Sequence, residues 1–386
     1  MARKKSFLRL NEEPLEGVSH GYSLGASSSV EIMDRIAGPI ERVLAWPFYS
    51  WRKIDRPIFM VGTYRSGTTI METIVGEHPD VGYFMYVTNL YRRAPLTGYL
   101  SMRLMWALGI LDYKWTPPVH NPRVPFTNIS PYEAELVWSQ CSRGQWVKDN
   151  QDITLDASFS EPRYERYLRS MIRRHLLACR ASRFMNKNPM NSLRVGFLNR
   201  LFPDARFITI ARHPVDAVFS QYRMAEELNK RYAESPLFHE VIQERLRIDM
   251  LNLRVKTRTY ARTLELDKEH HMLGIANEWK DMQLAVLEAL AGNSGIRERT
   301  LSMQLEDLHT QPVATLERVW EFCQLDAAKA APITAHYADK LGPSPRRKAT
   351  EEELALMPRV WEIVAPVARQ LGYKEPDYDA VYERAD

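Results

Sequence analysis

Short apolar runs alternate with longer segments of helical period along most of this chain. Pro57-Ile58-Phe59-Met60-Val61 is apolar throughout and stops at Gly62, the pattern of a strand buried on both faces of a parallel sheet. A helix is predicted from Thr68 to about Gly76, a turn at His78-Pro79-Asp80 and a second strand over Val81–Phe84. Strand patterns return at Arg183–Met185, Arg206–Ala211 and Thr300–Leu305, with a helix over Ser192–Phe202 between the first two. Further helices are predicted over Pro162–Ala181, within Val215–Leu266, and over Leu273–Leu290, Val313–Cys323 and Glu351–Leu371. Strands that alternate with helices predict an α/β domain whose parallel sheet is covered on both faces.

The start and the middle of the chain break this rhythm. Residues 1–29 are polar and become Gly/Ser-rich, which predicts a loosely ordered arm. Val30–Trp51 carries apolar residues at helical spacing and predicts a helix ending near Pro47. Its aromatic end, with Trp46, Phe48, Tyr49 and Trp51, fits either packing on the domain or contact with a lipid surface. Residues 85–160 read as an insertion, with an apolar helix near Leu100–Leu111, a proline-rich stretch and a short helix opening at Pro131-Tyr132-Glu133. On the helix that starts at Pro162, Tyr164, Leu168, Met171 and Ile172 form an apolar face, and the row Arg166, Arg169, Arg173 reads as a solvated one. Gly342–Lys348 reads as a Pro/Arg-rich loop.

The chain has 386 residues, 45% apolar and 26% charged. That mix excludes intrinsic disorder and a coiled coil as overall descriptions. At ~150 residues per domain the length allows two to three domains, or one large α/β domain with additions. A net charge of +4 is too balanced for a general nucleic-acid binder, yet it leaves room for a local basic pocket that holds a polyanionic small molecule. Cys141, Cys179 and Cys323 are far apart and lack metal-ligand spacing, so reduced thiols and a cytoplasmic location are expected. The opening MARKKSFLRLNEE turns acidic before an apolar core develops and does not read as a secretory signal. Leu96–Leu111, interrupted by Arg103, is shorter than the ~20 residues that span a bilayer.

Three motifs carry chemistry. Gly62-Thr63-Tyr64-Arg65-Ser66-Gly67-Thr68-Thr69 joins the first strand to a helix. A helix N-terminus offers unpaired N–H groups and the positive end of the dipole. The glycines let the backbone curl close to an anion, and Ser66, Thr68 and Thr69 add hydroxyl donors, so the segment reads as a phosphate cradle. A nucleoside-triphosphatase loop has lysine where Thr68 stands, which disfavours ATP or GTP hydrolysis; here the positive charge lies at Arg65. Asn186-Lys187-Asn188-Pro189 puts a lysine at the C-terminal edge of a strand, where parallel sheets bind ligands. Arg212 leaves the end of the strand over Arg206–Ala211, and Ser220 follows about two helical turns later, where both can converge on one phosphate. Together the motifs point to one anion with two separated acidic ends.

These blocks resemble the sulfotransferases that use 3′-phosphoadenosine 5′-phosphosulfate (PAPS). Arg65-Ser66-Gly67-Thr68-Thr69, with its preceding strand and following His78-Pro79, is similar to that family's 5′-phosphosulfate loop, and Arg212 with Ser220 to its 3′-phosphate pair. Phe184–Ala211 is similar to the protein-tyrosine sulfotransferase and broad bacterial branch, in which the lysine matching Lys187 touches the sulfuryl group. Gln304-Leu305-Glu306-Asp307-Leu308, Pro312 and Trp320-Glu321-Phe322-Cys323 resemble a late block of the family. The resemblance runs from about Pro57 to Tyr373 and is poor across 85–180. It implies a P-loop-like three-layer α/β/α fold around a parallel sheet of about five strands. It also implies an N-terminal arm and helix (1–56), the main domain (57–373) with a mostly helical acceptor-side insertion (85–180), and a C-terminal tail (374–386). Gln304 stands where the family has tyrosine, and Asn188 where this branch has aspartate. Tyr83-Phe84-Met85-Tyr86 lacks the carboxylate that the branch carries after His-Pro-Asp.

The implied activity is transfer of a sulfuryl group from PAPS, as co-substrate and without a metal, to a hydroxyl (less readily an amine) of an acceptor. Arg65 and Lys187 are expected to stabilise charge at the reacting end. Ser66, Gly67, Thr68 and Thr69 are expected to hold the 5′-phosphate, Arg212 and Ser220 the 3′-phosphate, and Arg346 and Arg347 to add a basic contact. An acceptor hydroxyl also needs a general base. Glu133, Glu135, Asp152, Asp156 and His78 are candidates, and Glu133 or Glu135 is favoured because the insertion is free to fold over the acceptor. Tyr83, Phe84, Tyr86, Tyr91, Tyr99, Trp106 and Trp115 lean towards a bulky apolar alcohol or lipid over a saccharide. His270 and His271 read as surface or core histidines, and Trp279 as core. Two other readings stay open. A P-loop kinase or nucleotide hydrolase would be stabilised by Mg·ATP rather than 3′,5′-ADP, and a non-catalytic PAPS-binding protein would show no turnover. No nucleic-acid partner and no membrane span are expected; peripheral membrane contact and a homodimer stay open.

Overall fold

The computed structural model describes residues 28–109, 127, 129–138, 155–234, 267–342 and 347–385. Its central sheet has five parallel strands: β1 (Ile58–Val61), β2 (Val81–Tyr83), β3 (Arg183–Lys187), β4 (Arg206–Ala211) and β5 (Thr300–Gln304). Their order is β2-β3-β1-β4-β5. All residues of β1 are buried, as its unbroken apolar run requires of a strand covered on both sides. Ile58 pairs with Met185 of β3 and Arg206 of β4, and Met60 pairs with Lys187. This register brings the C-terminal ends of β1, β3 and β4 to one edge. Strand order reverses at β1, and in such sheets ligands bind in the crevice beyond the strand ends at that reversal.

Helices close both faces. Those that matter here are α1 (Ser28–Leu44), α2 (Trp46–Tyr49), α3 (Thr68–Gly76), α4 (Pro95–Ala107), α5 (Pro162–Ala178), α6 (Pro214–Glu234), α7 (Lys268–Gly292), α8 (Pro312–Cys323), α9 (Ala327–Ala338) and α10 (Glu351–Ala368). Alternate residues of β1 feed different cores, as the strand period of two demands. Ile58 and Met60 pack with Met71 and Ile74 of α3 and Leu316 and Val319 of α8. Phe59 and Val61 join Phe184, Phe207 and, from α5, Leu168 and Ile172. A further core links α6, α7 and α10 through Val218, Trp279 and Trp361. The result is a three-layer α/β/α arrangement of the P-loop type. Cys179 and Cys323 are free thiols; Cys141 lies outside the described residues.

Several sequence expectations are corrected. Pro131-Tyr132-Glu133 does not open a helix: Pro131 bridges Met85 in antiparallel fashion, the Tyr132 N–H donates to the Phe84 carbonyl, and the helix starts only at Glu135. Backbone pairing with residues after β2 has claimed the segment. The arginine row on α5 is not simply solvated. Arg166 is exposed, but Arg169 donates to the Leu201 carbonyl (2.7 Å) and Arg173 to the Arg52 carbonyl (2.9 Å). Long side chains can bury their stems and still deliver a charged head to an acceptor. The Gly342–Lys348 loop ends in a strand, because Arg347–Ala349 (β6) pairs in parallel with Tyr382–Arg384 (β7). The helix α9, absent from the sequence expectations, begins at an Asp326 cap.

Gly62 leaves β1 with φ 149°, and a Cβ there would lie 2.3 Å from the carbonyl oxygen of Ile210. That oxygen belongs to a central strand and cannot give way. Gly62→Ala is therefore expected to destabilise the fold by about 2–4 kcal/mol, read as a lower midpoint in urea unfolding.

Candidate functional site

The loop after β1 is held in place from two sides. The Gly62 N–H donates to Ser192 Oγ at 3.0 Å, tying the loop to the segment that follows β3. Arg65 and Gly67 both take left-handed φ, 61° and 87°. A Cβ at Gly67 would come within 2.3 Å of Leu305 Cδ1, so the loop sits directly on the chain leaving β5. The Ser66 hydroxyl is buried and donates to the Thr63 carbonyl at 2.7 Å. It therefore helps to shape the loop. Gly67 caps α3 without a side chain, which leaves the first amides of that helix for another acceptor. Thr68 is buried and Thr69 half-buried in the first turn.

On the β4 side a group of cations converges. Arg65 Nε donates to Ser220 Oγ at 3.1 Å, and Arg212 Nη1 donates to the Arg65 carbonyl at 3.3 Å. Asp216 anchors the group: Arg212 Nη2 lies 3.5 Å from its Oδ2, and Arg347 Nη1 donates to its carbonyl at 3.0 Å. The Tyr382 hydroxyl donates to Asp216 Oδ1, so β7 holds the anchor in turn. Arg65, Arg212, Ser220 and Arg347 are thus brought together, while Arg346 lies outside the described residues. The helix α6 that carries Ser220 and Asp216 is fixed at its start by Glu306, whose Oε1 accepts from the His213 N–H (2.9 Å) and whose Oε2 accepts from the Tyr373 hydroxyl (3.1 Å).

On the β3 side Lys187 is only 3% exposed. Its ammonium is hydrogen-bonded to Glu133 Oε1 and lies 3.6 Å from Glu72 Oε2. The asparagines around it grip the same acid by its backbone: Asn188 Nδ2 donates to the Glu133 carbonyl at 3.2 Å, and Asn186 Nδ2 approaches the Tyr132 carbonyl at 3.4 Å. Burial alone would lower the Lys187 pKa, but Glu133 and Glu72 outweigh it and hold the ammonium above the usual lysine value. Burial pushes the Glu72 carboxyl up to about 7, against the pull of Lys187, and the Glu133 charge adds to the rise. Glu72 Oε1 has no hydrogen-bond partner among the described residues. Glu72 is the residue that sequence reasoning missed. Its signal was a lone charge inside the apolar helix TTIMETIVG.

The other candidates fall away from this edge or cannot serve it. His78 is buried just before β2, at the opposite edge of the sheet. Its Nε2 meets the Asp326 carbonyl (3.1 Å) and its Nδ1 accepts from the Asp80 N–H (3.2 Å), so both ring nitrogens are occupied. Asp156 is exposed on a turn, where hydrogen bonds from Ser158 hold its pKa below the ordinary carboxylate value, which weakens it as a base. Asp152 and Trp115 lie outside the described residues, as does the side chain of Glu135. Gln304 donates to the Leu371 carbonyl at 2.9 Å, a structural tie. Phe84, Tyr86 and Tyr91 are buried, whereas Tyr83, Tyr99 and Trp106 are half-buried. Core packing thus takes up part of the aromatic set read as acceptor-facing. His270 is exposed beside Asp267, His271 is buried against Tyr222, and Trp279 is core. Among the described residues no group of three or more His, Cys, Asp or Glu could hold a metal ion.

The sequence profile described as "Sulfotransferase family" matches residues 57–329. No curated protein matches the chain. Among solved structures, sulfotransferase STF9 from Mycobacterium avium is similar at TM-score 0.54 and 16% identity, covering 90% of this chain and 83% of that one. Sulfotransferase STF1 from Mycobacterium tuberculosis H37Rv gives 0.48 at 15% identity over 89% and 86% of the two chains. A sulfotransferase from Alicyclobacillus acidocaldarius gives 0.41 at 14% over 84% and 100%.

The raised Glu72 pKa has a consequence for stability. Folded protein keeps this proton to about pH 7 while the unfolded chain releases it at the ordinary carboxylate value, so stability falls as pH rises through that window. The expected loss is roughly 3 kcal/mol at most. Glu72→Gln is expected to remove this slope in urea titrations run across the window.

Proposed function

The chain belongs to the sulfotransferase family, and we propose that it moves the sulfuryl group of PAPS onto a hydroxyl of a small-molecule or lipid acceptor. The observation that carries this reading is the convergence, at one sheet edge, of a helix N-terminus flanked by two separate cationic groups. Arg65, Arg212, Ser220 and Arg347 gather on the β4 side, and Lys187 with its two carboxylates on the β3 side. A donor with a phosphate at each end of a nucleoside matches that division of charge. The amides of Gly67, Thr68 and Thr69 would hold the 5′-phosphate, and Arg212, Ser220 and Arg347 the 3′-phosphate. When bound, PAPS supplies an activated sulfuryl group. Thr68 stands where a nucleotide hydrolase carries lysine, which favours this donor over ATP.

Glu133 is our choice for the base that takes the acceptor proton. The pairing of Met85 with Pro131 and of Phe84 with Tyr132 carries Glu133 to the stretch that lacks a carboxylate of its own. Its side chain is 29% exposed, so an acceptor can reach it, whereas Glu72 is enclosed. A proton arriving on Glu133 removes one of the two counter-charges on Lys187. The ammonium then has more of its field to spend on negative charge that grows on a leaving phosphate. Proton removal and charge stabilisation are coupled through one hydrogen bond. The acceptor is proposed to be an apolar alcohol or lipid, supported by the half-buried Tyr99 and Trp106 in the insertion and Tyr83 at the end of β2.

Two measurements test this. Arg212→Ala is expected to weaken 3′,5′-ADP by about 1.5–3 kcal/mol in calorimetry and to cost adenosine 5′-phosphosulfate, which lacks the 3′-phosphate, far less. Equal losses would remove the 3′-phosphate assignment. Glu133→Gln is expected to lower kcat with PAPS and an alcohol acceptor by about 10²–10⁴-fold while 3′,5′-ADP affinity is kept. Near-normal kcat would exclude Glu133 as the base.

A further inference from the structure

The polarity of α1 is inverted. A helix on a globular domain normally turns its apolar stripe to the core. Here Ile32, Ile36, Ile40 and Val43, spaced at three to four residues, are 54%, 61%, 52% and 72% exposed. The buried stripe is polar instead: Asp34 is 1% and Glu41 7% exposed. Asp34 Oδ1 accepts from the N–H groups of Arg93 (2.9 Å) and Ala94 (3.0 Å). Glu41 Oε2 accepts from the Thr97 N–H (2.7 Å), and its Oε1 pairs with buried Arg174 (3.0 Å). The two carboxylates therefore cap the start of α4 and satisfy a buried arginine. Rolling the helix over to hide its apolar stripe would break all of these bonds and take from buried Arg174 its carboxylate partner. The outward apolar face is thus specified by buried polar chemistry.

More exposed apolar residues lie on the elements that touch α1. Trp46 and Phe48 of α2 and the following Trp51 are exposed, Trp51 at 73%. On the adjoining α4 and its cap, Leu100, Leu104 and Leu108 form a second exposed row at helical spacing. Among the described side chains, every exposed charge on these two long helices is basic: Arg35, Arg42 and Arg103. Lys53 adds another basic residue just past Trp51, its side chain 83% exposed. No described helix is long and apolar enough to cross a membrane.

We propose that this face docks on an anionic lipid surface, with α1 lying in the plane of the headgroups. An apolar stripe bordered by Arg and Lys, with tryptophans at its edge, is what an interfacial helix presents to a bilayer. The aliphatic side chains enter the boundary of the acyl region while the arginines meet phosphates. A second copy of the chain fits less well, because a two-fold interface would set each basic border against itself. The inference stands apart from the donor site and does not depend on the reaction.

The test uses the full chain in flotation with vesicles of phosphatidylcholine, alone and mixed with phosphatidylglycerol. Binding is expected to the mixed vesicles, to weaken with salt, and to fall by about tenfold or more in the double variant Ile36→Glu with Val43→Glu. Both positions are exposed, so the variant should keep the wild-type thermal midpoint and its affinity for 3′,5′-ADP. Arg35→Glu with Arg42→Glu should remove the preference for the anionic vesicles. Failure of the wild type to float with either vesicle overturns the proposal, as does equal flotation of wild type and the Ile36/Val43 variant. A wild-type dimer in analytical ultracentrifugation that this variant splits, with no vesicle binding, would overturn it in favour of a second copy.

Discussion

A lysine ammonium enclosed at the mouth of a parallel sheet must be neutralised where it stands. The penalty for an unpaired buried charge is several kcal/mol, and removing one partner of a buried pair commonly costs about 3–5 kcal/mol. Lys187 meets this demand with Glu72 from the helix after the anion loop and Glu133 from the insertion. Much of the site follows from that. α3 must present Glu72 towards β3, which fixes the loop that precedes it. The insertion must deliver Glu133, and Asn186 and Asn188 grip the backbone beside it. The strand end, the helix and the insertion are locked together by one charge.

The opposite side of the crevice is organised around an anion. Asp216 holds Arg212 and Arg347 and is itself held by Tyr382, so cations that would repel one another share a counter-charge. The last strand pair belongs to the site for this reason. Arg347 reaches Asp216 only because β6 is pinned by β7. The same logic recurs away from the site, where Asp34 and Glu41 fix α1 against α4 and set which of its faces meets solvent. In each place a carboxylate, half-buried at Asp216 and buried at Asp34 and Glu41, decides geometry that apolar packing alone would leave open.

Much of the scaffold is legible in the chain itself. The helix over Thr68–Gly76 and the strand over Arg206–Ala211 have in the structure the bounds that their local patterns predict. Glycine, an apolar run and a helix start are neighbours in sequence, so the loop between them is a local object. Arg212 and Ser220 are likewise linked by a single helix. Glu72 escaped notice because nothing beside it in the sequence reveals that Lys187 lies across from it. Pro131 resembles a helix start, so the local pattern puts Glu133 on a helix; pairing with Phe84 and Met85, far away in the chain, makes the segment extended. Arg169 and Arg173 look solvated in the local pattern because the carbonyls they reach, those of Leu201 and Arg52, come from distant parts of the chain.

The chain alone establishes the order of the five central strands and of most helices, the anion loop after the first strand and the cationic residues at three strand ends. These depend on short-range rules of backbone geometry and on period, which neighbours in the chain satisfy or break. Only the tertiary structure decided which carboxylates face Lys187, that Arg65 rests on Ser220 rather than beside Lys187, and that the apolar stripe of α1 points outward. Those outcomes turn on the cost of burying charge. That cost depends on partners that the fold brings together from distant parts of the chain, and no local pattern carries it.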